Sequence, residues 1–212
     1  MAARRTKGLF ITFEGGEGCG KSTQLKILEA HLEAKGYKVA TTREPGGTPA
    51  AEAIRAILLD PANDTLSPVA ELLLYEAARA QHVSERILPA LDAGKIVLSD
   101  RFYDSTTAYQ GAGRGLGLED VVRLHAVATG GLTPDLTILI DVPAALGLSR
   151  ATQGGSDRIE RETMDFHERV RAEFLRLAEA EPERIRVVDG AKSIDEGAAV
   201  IRELVDNLLR KE

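Results

Sequence analysis

The chain has 212 residues, of which 43% are apolar and 28% charged, proportions typical of a globular protein and unlike those of a fibre or a disordered chain. Its 33 acidic and 27 basic residues give a net charge of −6, which argues against a general nucleic-acid-binding protein. No apolar run approaches the roughly 18 residues of a membrane span. The apolar stretch after the basic start ends before Glu14, too early for a signal peptide. With a single cysteine, which fits a reducing compartment, we expect one cytoplasmic domain over 1–212 that binds no membrane.

Short apolar runs alternate along the chain with longer segments of helical periodicity. The five runs, each four to six residues long, cover 9–13, 37–41, 96–99, 136–140 and 185–188. The helical segments cover 23–34, 50–59, 68–91, 119–128 and 158–181. This alternation predicts βαβ units, hence an α/β fold with a parallel sheet. Because the runs are almost entirely apolar, we expect helices on both faces of the sheet.

Residues 15–22 match G-x-x-x-x-G-K-[ST], the phosphate-binding loop (P-loop), between a predicted strand and a predicted helix. Glycines let backbone N–H groups turn inward around phosphate oxygens, and the helix that follows adds its dipole. In such a loop Lys21 reaches the β- and γ-phosphates of a nucleotide and the Ser22 hydroxyl ligates Mg²⁺. We interpret Cys19 as a small space-filling residue in preference to a reactive thiol. The predicted nucleotide-binding residues are Gly15, Gly16, Glu17, Gly18, Cys19, Gly20, Lys21, Ser22 and Thr23.

The strand predicted over 96–99 ends in two charged residues, Asp100 and Arg101. Ligands of open α/β sheets bind at the carboxyl ends of the strands. At this position Asp100 could provide a second contact to Mg²⁺, and the Arg101 guanidinium could form a bidentate interaction with a phosphate. An ion pair at the strand end is the alternative, and the neighbouring P-loop favours the functional interpretation.

A candidate acceptor pocket follows from two further groups of residues. Tyr75 and Arg79 lie four residues apart on one predicted helix face, where they suit a flat base, although helical spacing alone favours a core tyrosine with a snorkelling arginine. The polar segment 104–110 follows Arg101 directly, so its hydroxyl groups suit a nucleobase edge near the phosphates. Arg55 is either a phosphate ligand or a solvated helix residue. The candidates in the polar segment are Ser105, Thr106, Tyr109 and Gln110.

No general base is evident in the sequence. The four histidines are scattered without a partner pattern, and we interpret them as surface or packing residues. A hydroxyl acceptor usually needs such a base. A phosphate acceptor, with a second pKa of about 6, is already an oxyanion at pH 7. This favours a kinase for nucleoside monophosphates, which needs only positioning and charge neutralisation.

A polar, glycine-bearing segment flanked by Arg150 and Arg158 joins two predicted helices. Such a segment can close over phosphates, exclude water and bring an arginine to the transition state. An ordinary helix connection explains the pattern equally well. We expect a mobile lid at about residues 150–158.

Six stretches of the sequence together resemble the bacterial thymidylate kinase family, along nearly the whole chain. They are 13–23, 43–48, 75–79, 100–102, 105–111 and 157–160, and the second, fourth and fifth in this order are specific to that family. The resemblance implies a P-loop kinase fold with a five-stranded parallel sheet flanked by helices. It also implies ATP with Mg²⁺ as phosphoryl donor, dTMP as acceptor, dTDP as product, and a homodimer.

The resemblance further implies roles for individual residues. Tyr75, where the family more often has phenylalanine, stacks on thymine, and Arg79 bonds a thymine carbonyl. Tyr109 crowds the ribose 2′ position and so favours deoxyribose. The dTMP phosphate is held by Arg55 and Arg101. With Ser105 and Gln110 from the polar segment, the predicted set of dTMP contacts is Glu17, Arg55, Tyr75, Arg79, Arg101, Ser105, Thr106, Tyr109 and Gln110.

One departure from the family concerns the catalytic arginine, which comes from either the P-loop or the lid. Here Gly18 stands where one subclass carries arginine, so the lid must supply it, and we expect Arg158 with assistance from Arg150. Residues 189–191 are the expected adenine contact. The remaining alternatives are another small-substrate kinase, for a uridylate or a deoxynucleoside, and a regulatory module that hydrolyses ATP slowly.

Overall fold

The computed structural model describes residues 8–151 and 157–210. Five strands form one sheet in the order β2-β3-β1-β4-β5, and every pairing is parallel, which confirms the predicted α/β class. The strands are β1 (Phe10–Glu14), β2 (Val39–Arg43), β3 (Ile96–Asp100), β4 (Leu136–Asp141) and β5 (Ile185–Asp189). Because β1 is central, the P-loop that follows it lies in the middle of the carboxyl edge of the sheet.

The helices flank this sheet. They are α1 (Lys21–Ala34), α2 (Pro49–Leu59), α3 (Pro68–His82), α4 (Leu88–Asp92), α5 (Tyr103–Thr106), α6 (Leu118–Thr129), α7 (Ala144–Ala151), α8 (Met164–Ala180) and α9 (Ile194–Leu209). A short 3₁₀ turn covers Pro61–Asn63, and π-helical segments cover Val83–Ile87 and Thr107–Gly113. Within the described ranges no helix is long and apolar enough to span a membrane.

The core forms on both sheet faces because side chains alternate along each strand. On β1, Ile11 and Phe13 point into a cluster that includes Leu28 of α1 and Val205 of α9. Phe10 points to the opposite face, where another cluster covers it. Burial of each such side chain contributes about 1.5–3 kcal/mol. Helices therefore cover both faces, and the carboxyl edge is free to hold a site.

Side-chain caps fix where several helices begin. Ser67 accepts a hydrogen bond from the Ala70 N–H before α3, and Ser193 with Glu196 forms a complete capping box before α9. Thr163 caps α8 in the same way. The cap of α3 positions the helix that carries Tyr75 and Arg79, two of the candidate site residues.

Two predicted boundaries are wrong. The strand predicted over 37–41 lies at Val39–Arg43, because the chain is still closing α1 at Tyr37, whose N–H bonds the Leu32 carbonyl. The helix predicted to begin at 158 begins at Met164, because the Asp157 carboxylate instead caps a preceding turn. Most of the expected lid, residues 152–156, lies outside the described residues.

Candidate active site

The P-loop connects β1 to α1 and curls around the Lys21 side chain. The Lys21 ammonium donates to the carbonyl oxygens of Gly15 at 3.2 Å and Gly16 at 2.7 Å, and it lies 3.3 Å from Cys19 Sγ. Cys19 is buried, in agreement with a space-filling role. The loop thus surrounds its one lysine closely.

Gly18 is required by a close approach between the P-loop and α7. It has φ of +59°, and a Cβ there would lie 2.1 Å from the Gly147 carbonyl oxygen. A Cβ at Gly147 would in turn lie 2.3 Å from the Glu17 carbonyl oxygen. This contact leaves no space for an arginine in the loop at position 18.

Ser22 and Asp100 meet at the carboxyl edge of the sheet. The Ser22 hydroxyl donates a hydrogen bond to Asp100 Oδ2 at 2.6 Å. The two oxygen atoms predicted as Mg²⁺ ligands are therefore adjacent. Within the described ranges, no cluster of three or more His, Cys, Asp or Glu side chains could hold a metal alone. The pair fits Mg²⁺, which usually takes one or two protein ligands together with substrate phosphates and water.

One cavity of about 460 Å³ joins the P-loop to the predicted acceptor pocket. It brings together nearly all of the predicted site residues. Those that line it are Glu17, Gly18, Cys19, Gly20, Lys21, Ser22, Thr23, Arg55, Tyr75, Arg79, Asp100, Arg101, Ser105, Thr106, Tyr109, Gln110 and Arg150. Gly15, Gly16 and Arg158 are not among the lining residues.

Arg101 is at the centre of a charged cluster on the cavity wall. Its backbone has φ of +73°, rare for a residue with a side chain. Its guanidinium donates to Glu17 Oε1 at 2.8 Å and lies 4.9 Å from the centre of the Tyr109 ring. The Tyr109 hydroxyl donates to the same Glu17 oxygen at 2.7 Å. Although burial disfavours its charged form, Arg101 and Lys21 lower the pKa of Glu17 to about 2, so it is a carboxylate at neutral pH.

Arg79 does not extend to solvent; it is buried and held by several hydrogen bonds. Its Nε donates to Glu44 Oε2 at 2.8 Å and its Nη1 to Glu76 Oε1 at 2.8 Å. Its Nη2 donates to Thr106 Oγ1 at 2.9 Å. Burial alone would lower the pKa of Arg79, but Glu44 and Glu76 raise it, so the guanidinium stays charged. It reaches the cavity beside Tyr75 with a fixed plane.

Arg158, the expected catalytic arginine, does not line the cavity. It is 7% exposed, its Nε donates to the Leu58 carbonyl at 2.8 Å, and its Nη2 lies 2.6 Å from Glu71 Oε2. Glu71 also accepts from Gln110 and Arg114, so it organises a buried polar cluster. In the described conformation, Arg158 stabilises the fold around α3.

Arg150 is exposed and lines both the main cavity and a second cavity of about 290 Å³. The second cavity lies between the P-loop and the start of α9. Asp189 and Gly190, two of the three expected adenine contacts, line it, and Arg150 donates to the Gly190 carbonyl at 3.2 Å. Of the two expected lid arginines, Arg150 is the one located between the two cavities.

Sequence reasoning missed the buried groups that hold the site residues. Glu14 accepts from the Phe102 N–H at 2.7 Å and bonds Ser105 Oγ at 2.5 Å, behind Arg101. The only local signal was an acid directly before the first glycine of the P-loop. Other missed groups are Glu44, Glu71, Glu76, His82 and His125; Glu76, three residues before Arg79 on one helix, is the only one whose spacing pointed to its partner.

Comparison with known proteins agrees with this geometry. The family model described as "Thymidylate kinase" matches residues 13–201. A thymidylate kinase of Citrifermentans bemidjiense is 55% identical over an alignment of 203 residues that covers 92% of this chain and 90% of that protein. One of Deinococcus radiodurans is 53% identical over 197 residues, 92% of this chain and 95% of that protein. The crystal structure of thymidylate kinase from Ehrlichia chaffeensis superimposes with a TM-score of 0.77 at 34% identity, covering 94% of this chain and 98% of that one. A match of this extent, over both the P-loop and the acceptor side of the cavity, shows that the chain belongs to the thymidylate kinase family.

Proposed function

We propose that the protein transfers the γ-phosphoryl group of ATP to the phosphate of dTMP. A dTMP phosphate oxygen forms a bond to the γ-phosphorus, the bond from that phosphorus to the β,γ-bridging oxygen breaks, and ADP and dTDP leave. The observation that carries this proposal is the single cavity that joins Lys21 and Ser22 to Tyr75 and Arg79. Donor and acceptor would meet in it without crossing protein.

On the donor side, the chain supplies positive charge and oxygen ligands. Lys21 would exchange its P-loop carbonyls for the β- and γ-phosphate oxygens. Ser22 and Asp100 would hold Mg²⁺, which, when bound, would neutralise charge on the phosphates. We assign the arginine that stabilises the transferring group to Arg150, since Arg158 is paired with Glu71. The cavity beside Asp189 would take the adenine.

On the acceptor side, two arginines and two rings define the pocket. Arg55 and Arg101 would hold the dTMP phosphate, while Tyr75 stacks on thymine and Arg79 bonds a ring carbonyl. Tyr109 would exclude a ribose 2′-hydroxyl because its ring and hydroxyl are both fixed. The acceptor phosphate needs no base at neutral pH because its second pKa is about 6.

The test is a coupled ADP-release assay with ATP and Mg²⁺. It compares dTMP with dUMP, UMP, CMP, AMP, GMP and thymidine. Turnover confined mainly to dTMP is the expected result. Preference for another acceptor would refute the thymine pocket around Tyr75 and Arg79, and ADP release independent of any acceptor would refute the kinase assignment.

We also propose that the protein is a homodimer. The helices α2 and α6 both pack against α3, and all three expose large apolar side chains. Among them are Ile57, Val69, Leu73, Leu118 and Val122, each between 37% and 56% exposed. A second copy would cover this face. Sedimentation should give a dimer for the wild type and a monomer for Leu73→Glu; a monomeric wild type would overturn this assignment.

We further propose that the protein is located in the cytoplasm, which is consistent with its single cysteine.

A further inference from the structure

A chain of buried hydrogen bonds begins at the end of β2 and leads to Arg79. The Thr42 hydroxyl lies 2.6 Å from His82 Nε2, and His82 Nδ1 lies 2.9 Å from Glu44 Oε1. The other oxygen of Glu44 accepts from Arg79 Nε at 2.8 Å. The His82 ring is completely buried and closely packed, since a Cβ at Gly47 would lie 2.5 Å from its Nε2.

A second chain of the same kind approaches Arg79 from α6. His125 Nδ1 lies 2.7 Å from Glu76 Oε1, which also accepts from Arg79 Nη1 at 2.8 Å. His125 Nε2 lies 2.9 Å from the Thr107 hydroxyl, and its ring stacks on Tyr103 with centroids 5.3 Å apart. Arg79 is therefore clamped between two carboxylates, each backed by one histidine and one threonine.

The carboxylate partners determine which ring nitrogen of each histidine must carry a hydrogen. A carboxylate only accepts, so Nδ1 of His82 and of His125 must carry hydrogen. Each Nε2 lies within hydrogen-bond distance of a threonine hydroxyl. The two imidazole N–H groups thereby solvate the two buried carboxylates.

We propose that His82 and His125 are positioning residues for recognition of the acceptor base, acting through Glu44 and Glu76 on Arg79. The proposal rests on the proposed function, in which Arg79 bonds the thymine ring. By fixing both carboxylates, the histidines fix the plane of the guanidinium, whose Nη2 donates to Thr106 Oγ1 at 2.9 Å and to the Phe102 carbonyl at 3.2 Å. The base then meets a guanidinium whose orientation is set before binding, with one Nη1 hydrogen beyond the bond to Glu76.

Loss of the hydrogen bond from either histidine should leave Arg79 less firmly held by its two carboxylates. The ATP-binding residues should not be affected. Among the described residues, Glu44 Oε1 has no hydrogen-bond donor other than His82, and Glu76 Oε2 has none at all. A carboxylate left with Arg79 as its only partner would turn to find another donor and carry the guanidinium with it. Lys21 and Ser22 are not members of the cluster, so ATP binding should be unaffected.

The test compares two amide substitutions at His82. In His82→Asn the amide nitrogen can replace Nδ1 and keep the hydrogen bond to Glu44, whereas in His82→Gln it lies near the former Nε2 instead. We expect His82→Gln to raise the KM and the calorimetric Kd for dTMP by about tenfold, and His82→Asn by less than about threefold. The kcat and the KM for ATP should change by less than about twofold in both. The same pair at His125 should give the same order.

One control and two overturning outcomes make the result decisive. His31→Asn, at a partly exposed histidine paired with Asp206 on the far side of α1, should change neither KM. A purely structural role of His82 would lower the melting temperature and kcat of both variants without separating the two KM values, and that result overturns the proposal. So does equal dTMP affinity in the asparagine and glutamine variants.

Arg79→Ala separates failure of this proposal from failure of the proposed function. If Arg79→Ala weakens dTMP binding and His82→Gln does not, only the positioning role is wrong. If Arg79→Ala leaves dTMP binding unchanged, the base contact in the proposed function is itself wrong.

Discussion

Replacing Glu14 by glutamine tests whether a neutral carboxyl lies beneath the active site. Glu14 ends β1 with no exposed surface, and its two oxygens bond the Phe102 N–H and the Ser105 hydroxyl. Burial, together with the charge of Asp104, raises the pKa of Glu14 to about 8. The folded protein therefore holds this proton at neutral pH, whereas the unfolded chain ionises near 4.5.

The direction and size of the effect follow from this difference. Between pH 4.5 and about 8 the folded state binds one proton more than the unfolded state at Glu14, so the free energy of unfolding falls as the pH rises. Between about pH 5.5 and pH 8.5 this loss amounts to on the order of 3 kcal/mol. Glu14→Gln has no proton to release and keeps the hydrogen-bonding shape, so it lacks this loss.

Urea unfolding at pH 5.5, 7.0 and 8.5 measures the effect as the difference between wild type and variant. The free energy of unfolding of Glu14→Gln, relative to that of the wild type, should increase steadily from pH 5.5 to pH 8.5. Glu52→Gln is the matched control, because a hydrogen bond from the Gly47 N–H and the charge of Arg43 lower the pKa of Glu52. Glu52 is thus ionised in both states throughout, and its difference should be constant. A constant difference for Glu14→Gln as well would refute the neutral carboxyl.

Four further predictions concern residues in and beside the site. Lys21→Ala should lower kcat by at least about 100-fold while the circular dichroism and melting temperature stay at wild-type values; near wild-type turnover would refute its role at the phosphates. Arg79→Ala should raise the KM for dTMP by about tenfold or more and that for ATP by less than about threefold, and equal changes would remove it from the base pocket. Arg150→Ala should lower kcat by about 100-fold or more at unchanged stability. Arg158→Ala should instead cost about 2 kcal/mol of stability through the loss of its pair with Glu71, seen as a lower melting temperature with most of kcat retained. The reverse order for these two arginines would restore Arg158 as the catalytic one.

Local sequence patterns were sufficient to predict the parallel sheet and the P-loop. Apolar runs of about five residues separated by helical segments require a parallel sheet, since each strand must be covered on both faces. The motif over residues 15–22 predicted a P-loop with Lys21 and Ser22, and the strand end predicted a ligand position at Asp100. In the structure the Ser22 hydroxyl lies 2.6 Å from that carboxylate. These groups meet because each follows directly from a strand end or a helix start.

The partners of the buried charges were decided only by the tertiary structure. Arg79 and Arg158 looked alike in sequence, as arginines beside candidate ligand positions, but Glu44 and Glu76 hold the first in the cavity and Glu71 holds the second outside it. A buried charge must find its counter-charge wherever packing brings one, and Glu71 is 87 residues away from Arg158 along the chain. No local period or motif encodes such a pairing. The sequence alone therefore determined the fold and the nucleotide loop, and tertiary packing determined which arginines are free to meet a substrate.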